Sequence, residues 1–258
     1  MDRDRARLFD HEAERYDRSR PGYPAELFDE VLGPSPHGLC VLDVACGTGI
    51  ASREMTNRGA HVLGVDLNAR MAEVAEQHGI PTEVAPFETW DPLGRTFDLV
   101  TCAQAWHWLD AKLSATKVAS VLRPGGRVGL FWSIGHHPDD LAEALRATYL
   151  RALPPGAGSA RCGYAANTAS DPTPDFGEVT DALRESGGLV DTRVTSFPWT
   201  RAYTRDLWLD ELLSHSDHIA LAPEVRSTLL DEIGTTIDRF GGTFEMSYVT
   251  VLISATRA

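Results

Sequence analysis

A chain of 258 residues, 43% hydrophobic and 24% charged, has the composition of an ordinary soluble globular protein, enough for one large domain or one domain with an elaboration. Its formal net charge of −13 argues against nucleic acid as the main partner, because phosphate binding needs a basic face. No apolar run approaches the roughly 18 residues of a membrane span and the N-terminus lacks a signal-peptide core, so the expectation is a cytoplasmic protein with no membrane partner.

In chain order, the first 20 residues are dense in both charges, with Phe9, Ala13 and Tyr16 at helical spacing. They predict an amphipathic helix or arm. Pro24 to Leu32 reads as a helix started by proline at its first turn, and Gly33-Pro-Ser-Pro as a linker. Residues 41–45 predict a first strand, 50–58 its helix, 61–66 a second strand, 69–78 a helix stopped at Gly79, and 82–85 a short third strand. Phe97 to Ala103 is the fourth strand, Ala111 to Leu122 a helix, and the turn Arg123-Pro-Gly-Gly126 leads into a fifth strand ending at Trp132. His136-His-Pro-Asp-Asp140 reads as a solvated loop rather than a metal site. Leu141 to Leu153 is helical. Residues 154–174, rich in Pro, Gly, Ala, Ser and Thr, read as a mobile loop placed where a lid would lie. A helix over 175–185, a strand over 190–199, two amphipathic helices over 204–215 and 223–240, and a β-rich last segment over 243–256 complete the chain. The cysteines Cys40, Cys46, Cys102 and Cys162 show no metal spacing and read as reduced, mostly buried residues.

Chemistry concentrates in Val41-Leu-Asp-Val-Ala-Cys-Gly-Thr-Gly-Ile-Ala51. The order is strand, tight turn, helix. The glycines allow positive φ and close approach of a ligand to the main chain, and the helix start offers free N–H groups. The second apolar run, Val62 to Asp66, ends in an acid placed to hold ribose hydroxyls. A dinucleotide site would read G-x-G-x-x-G/A; here the third small position is Ser52, and Asp43 would repel a pyrophosphate. The same carboxylate suits a ligand bearing an ammonium group. With these residues, Asp43-Val-Ala-Cys-Gly-Thr-Gly49 resembles the first motif of the class I S-adenosylmethionine-dependent methyltransferases. A nicotinamide oxidoreductase and a non-catalytic binder of S-adenosylmethionine or S-adenosylhomocysteine remain as alternatives.

The resemblance extends over residues 9–132 by motif. Ala13-Glu-Arg-Tyr16-Asp17 and Arg20-Pro-Gly-Tyr23-Pro24 resemble the arm that folds over the cofactor in small-molecule methyltransferases. It implies Tyr16 and Arg20 near the methionine end or the substrate, and Tyr23 near the substrate. It also implies cofactor contacts from Asp43, Ala45, Gly47, Gly49, Asp66, Leu67 and Met71, from Phe87 and Glu88 at the adenine, and from Ala103 and Gln104. By its own chemistry Phe87 reads as a core residue. Ala103-Gln-Ala-Trp-His-Trp108 resembles a subgroup that includes the trans-aconitate methyltransferases, and Trp106 or Trp108 could face the sulfonium. Three roles stay open for His107: packed beneath the loop, cofactor or substrate contact, or general base; it is the catalytic candidate. Trp132, His215 and His218 join Tyr23 and Trp106 as candidate substrate-pocket residues, with a helix end as the alternative for the two histidines. No metal is expected.

The implied fold is a Rossmann-like α/β domain over 1–258. Its seven-stranded, mostly parallel sheet has an antiparallel last strand and helices on both faces. A small helical cap is expected from 133–174 and 204–240, with residues 1–33 as an N-terminal arm. The implied activity is methyl transfer from S-adenosyl-L-methionine to a small-molecule acceptor, at O, N or C, by a monomer or homodimer.

Overall fold

The computed structural model describes residues 12–153, 167–169 and 174–258. Phe9, Cys162 and most of the 154–174 segment expected as a lid lie outside the described residues. The elements in order are α1 (Ala13–Ser19), α2 (Ala25–Leu32), β1 (Cys40–Val44), α3 (Ile50–Asn57), β2 (His61–Asp66), α4 (Ala69–Gln77), β3 (Thr82–Val84), β4 (Phe97–Ala103) and α5 (Ala111–Val121). There follow β5 (Leu122–His136), α6 (Asp139–Ala152), α7 (Gly177–Glu185), β6 (Leu189–Thr204), α8 (Arg205–Leu212), α9 (Ser216–Ile219), α10 (Pro223–Arg239) and β7 (Thr243–Arg257). No described helix is long and apolar enough to cross a membrane.

The strands form one seven-stranded sheet in the order β3-β2-β1-β4-β5-β7-β6. β1 to β5 run parallel, and β7 lies antiparallel between β5 and β6. The order reverses between β1 and β4, so a crevice opens there beyond their carboxyl ends, where ligands bind in open α/β sheets. Both faces are covered. Leu42, Val100 and Leu130 pack with Val118 of α5 and Leu183 of α7; Val41, Leu99 and Phe131 pack with Phe28 of α2 and Met55 of α3. Apolar residues on successive strand positions therefore face different helices, which is why β1 and β4 read as continuous apolar runs.

The last strand is antiparallel as expected, but β5 and β6 run longer than expected. β6 continues past Trp199 to Thr204, and β5 past Trp132 to His136. Directly opposed aromatic pairs hold the extension: Trp199 stacks on Tyr248 with centroids 4.4 Å apart, and Tyr203 on Phe244 at 5.5 Å. On this ribbon sits a second core, built from Leu145 and Tyr149 of α6, Trp208 and Leu212 of α8, and Ile233 and Ile237 of α10. The expected helix over 204–215 is α8 followed by the short α9, with Thr204 capping α8 by accepting from the Leu207 amide at 3.2 Å. His136-His-Pro-Asp-Asp140 is no solvated loop: His136 ends β5, His137 is buried, and Asp139 and Asp140 open α6.

Candidate functional site

After β1 the chain turns through Ala45 (φ 52°), Gly47 (φ 57°) and Gly49 (φ 80°) into α3. A Cβ on Gly49 would lie 3.3 Å from the Ala75 Cβ, and one on Gly47 would meet the Met71 methyl at 3.4 Å. The loop is a cradle that larger residues would fill. Across the crevice, Gln104 also takes a positive φ, 59°, immediately after β4. Ala45 and Gln104 thus hold left-handed backbone at the tips of the two strands flanking the switch point, a cost that surrounding structure must over-determine. At Gln104 the amide donates to the Phe131 carbonyl at 2.8 Å and the side chain to the Ser133 carbonyl at 3.3 Å. Ala103 is half-buried beside it.

The two acids sit deeper than expected. Asp43 is fully buried beneath the loop and accepts from the hydroxyls of Ser52 (2.5 Å) and Thr101 (2.8 Å). The expectation of an open strand-tip carboxylate is therefore corrected, and Ser52, read as a mild departure from a fingerprint, is its partner. Burial raises the Asp43 carboxyl to about 6, against the two hydroxyl bonds that lower it. Asp66 accepts from the amides of Gly47 (2.8 Å) and Asn68 (2.7 Å), tying the glycine loop to the end of β2; burial raises its carboxyl too.

The Asp43 shift has a sign that can be tested. An acid whose folded pKa lies above its unfolded value stabilises the fold most below the unfolded pKa, and that contribution is lost as pH rises through about 6. At pH 7.5 the buried charge costs on the order of 3 kcal/mol, after the hydroxyl bonds have lowered it. Asp43→Asn is expected to hold or raise Tm at pH 7.5 while lowering it at pH 4. A large loss of Tm at pH 7.5 would contradict this.

The arm helix α1 bridges the sheet domain and the cap. Asp17 pairs with Arg53 of α3 (2.8 Å) and His78 at the end of α4 (2.9 Å), Glu14 pairs with Arg70, and Arg15 and Arg18 meet Asp210 of α8 at 3.1 and 3.2 Å. Tyr16 packs on Met71 and Val74, beside the glycine cradle. The Arg20 guanidinium lies 4.9 Å from the centre of the Tyr16 ring and donates to the Ser214 carbonyl at 3.0 Å. Its Nε is buried with no hydrogen-bond partner among the described residues. Tyr23 sets its ring edge-on against Phe131 (5.0 Å) and Phe28 (6.1 Å), and burial pushes its phenol well up. This is a packing position on the α2 face.

At the end of β3, Phe87 is a core residue. It is 2% exposed, stacked on Trp90 and covered by Lys117. An open adenine wall at Phe87 is therefore corrected; its own chemistry already read as core. Glu88 is half-buried and accepts from the Asp110 amide at 3.3 Å. Leu67 is half-buried next to Asp66, and the exposed side chain of Val84, register partner of Asp66, was missed because a three-residue strand gives too little alternation to read.

The Trp106-His107-Trp108 turn is a single 3-10 turn. Trp106 and Trp132 are almost fully buried and, with His107, Ile134, Phe176 and Val179, border a cavity of about 270 Å³ beyond β4 and β5. The Trp106 indole Nε1 has no hydrogen-bond partner among the described residues. The Trp132 indole donates to His107 Nδ1 at 3.4 Å. A neutral ring accepting at Nδ1 carries its proton on Nε2 and offers no lone pair there. Asp110, the nearest carboxylate in sequence, caps α5 by accepting from the Leu113 amide.

The two cap histidines differ. His218 is buried, with Nε2 on the Tyr149 hydroxyl (2.8 Å) and Nδ1 on Asp217 (2.9 Å), so both nitrogens are committed and it lines no open pocket. His215 has its Nε2 buried with no hydrogen-bond partner among the described residues, 3.8 Å from Oε1 of the buried Glu211. Sequence reading passed over Glu211, an ordinary acid within a helix until Tyr203 is folded against it at 2.6 Å.

The sheet is Rossmann-like, with its crevice at the switch point between β1 and β4. Residues 41–126 match the methyltransferase domain family. Across 99% of its length the chain is 29% identical to an uncharacterized methyltransferase of Mycobacterium tuberculosis, covering 98% of that protein. Among solved structures it is similar to one from Anaeromyxobacter dehalogenans assigned as a type II methyltransferase (TM-score 0.60, 22% identity, 93% of this chain and 97% of that one). It is also similar in fold to phosphoethanolamine N-methyltransferase 2 of Haemonchus contortus, solved with phosphomonomethylethanolamine and S-adenosylhomocysteine (TM-score 0.56, 16% identity, 98% of this chain and 58% of that one). The chain is a methyltransferase that uses S-adenosyl-L-methionine.

Proposed function

We propose that this enzyme methylates a small-molecule acceptor held between the β4 tip, the arm and the cap. The observation that carries the reading is the joint between arm and cap at Arg20 and Ser214, 3.0 Å, which ties the cap to an arm whose Tyr16 packs on Met71 beside the glycine cradle; a site covered in this way suits a small acceptor rather than a macromolecular one. The residues present fit the cofactor: a cradle kept open by Gly47 and Gly49, with the buried Thr48 hydroxyl and the Arg20 Nε both without hydrogen-bond partners among the described residues. In this reading Gly47, Gly49 and Ala45 supply backbone groups and Asp66 holds the ribose. Leu67, Glu88, Ala103 and Gln104 border the adenosine, Met71 and Tyr16 pack beside the methionine part, and Arg20 takes its carboxylate. Asp43 acts from below, its charge attracting the ammonium group without touching it. Bound S-adenosylmethionine supplies an electrophilic methyl group on a sulfonium. The protein aligns the acceptor and excludes water.

Calorimetry tests the reading. S-adenosylhomocysteine should bind, NAD should not, and Asp43→Asn should bind S-adenosylhomocysteine more weakly than the parent. Binding of NAD in preference would overturn it.

His107 orders the turn in this reading, and its Ala103-Gln-Ala-Trp-His-Trp108 setting supports kinship with the trans-aconitate methyltransferase-like group. His107→Gln keeps shape and a donor, so kcat should stay within a few-fold while cofactor affinity falls. A general base would instead cost 10²–10⁴-fold. A loss of kcat in that range with unchanged cofactor binding would refute the ordering role.

A further inference from the structure

The cavity of about 270 Å³ lies between the turn after β4, the end of β5 and the start of α7. Protein interiors leave few voids larger than a water molecule, which takes about 30 Å³. An open space several times that size beside large aromatic side chains forfeits contacts that a closed core would make. Here the rings of Trp132 and Phe176 stand 5.0 Å apart at 40°, and Trp106 is buried in the same apolar cluster.

Two sides of the cavity adjoin groups read above as bordering the cofactor. At the β4 tip, Gln104 donates from its amide to the Phe131 carbonyl and from its side chain to the Ser133 carbonyl, so it brackets Trp132. On the other side the Asp110 amide donates to Glu88 at 3.3 Å, and Leu109 and Ala111, the neighbours of Asp110, border the cavity.

The charge around this space has one sign. Asp175 and Glu178 border it and are exposed, and among the described residues bordering it there is no Lys or Arg. Asp175 is held in place by accepting from the Gly177 amide at 2.8 Å. Lys112, next to Ala111, turns its ammonium to Glu185 of α7 at 3.1 Å.

We propose that this cavity is the recognition subsite for the acceptor, and that the acceptor places an aromatic ring and a positive charge there. The proposal rests on the cofactor reading above. The ring would lie against Trp132 and Phe176, since tilted and edge-on contacts between rings are favourable. The charge would sit at the exposed side, where carboxylates and aromatic faces both attract a cation. An anionic acceptor would meet two like charges and no base among those residues. A polycarboxylate is therefore disfavoured, although the Ala103–Trp108 motif resembles that of the trans-aconitate group. The volume, below the roughly 300 Å³ of the smallest drug-sized pockets, suits one or two rings.

Phenethylamine and 3-phenylpropionate share a ring and a reach and carry opposite charges; butylamine has the positive charge without the ring. NMR titration at saturating S-adenosylhomocysteine follows the Trp132 indole N–H, assigned by its absence in Trp132→Phe, and gives each dissociation constant. Phenethylamine should shift that resonance and bind roughly tenfold more tightly than either of the others. Glu178→Lys, at an exposed position, should weaken phenethylamine roughly tenfold and bring 3-phenylpropionate to at least the same affinity. Either comparison probe binding the parent protein as tightly as phenethylamine, an unmoved Trp132 resonance, or a preference unchanged in Glu178→Lys would overturn the proposal. S-adenosylhomocysteine failing to bind in calorimetry would overturn the cofactor reading. With S-adenosylhomocysteine bound and phenethylamine unbound, this inference alone falls.

Discussion

Acidification from pH 7.5 to pH 5 is expected to cost this fold about 3 kcal/mol, about 4 lost through two buried histidines, His137 and His215, and about 1 returned by Asp43. His137 is 3% exposed, set between the Trp208 ring at 4.9 Å and the Phe244 ring at 5.3 Å. Neither ring nitrogen has a hydrogen-bond partner among the described residues, and burial lowers the imidazole to about 3. His215 is lowered to about 4, by burial and then Arg20. A base whose folded pKa lies below its unfolded value keeps its contribution above the unfolded pKa, near 6.5. The contribution is lost as pH falls from there toward the folded value, because only the unfolded chain takes up the proton. At pH 5 each group has lost about 2 kcal/mol, and Asp43, with its opposite sign, returns about 1. Urea unfolding at the two pH values measures the sum. His137→Phe keeps the aromatic contacts and removes two unpartnered nitrogens. It should lose about 2 kcal/mol less than the parent on acidification and be no less stable at pH 7.5. An acid loss equal to the parent's would show that His137 does not titrate as its burial requires.

Asp66→Ala should weaken binding of S-adenosylhomocysteine by about 1–3 kcal/mol, the scale of a lost hydrogen bond to a charged group, or roughly 5- to 150-fold in Kd. Two effects add here. The carboxylate proposed for the ribose is gone, and the amides of Gly47 and Asn68 lose their acceptor, so the cradle is no longer tied to β2. Asp66→Asn separates them. Its amide oxygen can keep one backbone bond, so its Tm should lie nearer the parent's than that of Asp66→Ala while its affinity stays reduced. Unchanged affinity in Asp66→Ala by calorimetry would remove Asp66 from the cofactor site.

What the amino-acid sequence determined by itself was local and periodic. The glycine loop follows from Gly47 and Gly49, whose positive φ only glycine takes without strain. The strand–helix order to β5 follows from apolar runs, caps and turn residues, and the strand-end acids from their place in those runs. Phe87 read correctly as core on its own chemistry, because a large aromatic in a short loop next to Trp90 gains most by burial. The tertiary structure decided everything that depends on which distant segments meet. Asp43 faces Thr101, 58 positions away, so it serves the loop from below rather than from the surface. His218 finds Tyr149 from another helix and is closed off, while His215, three residues earlier, has a buried nitrogen with no hydrogen-bond partner among the described residues, beside Glu211. His137 looks like a loop residue until Trp208 and Phe244 arrive on either side. Periodicity tells which face of an element is apolar; it carries no information about the partner that covers that face. A buried histidine or acid takes its charge state from that partner and from the depth of its burial.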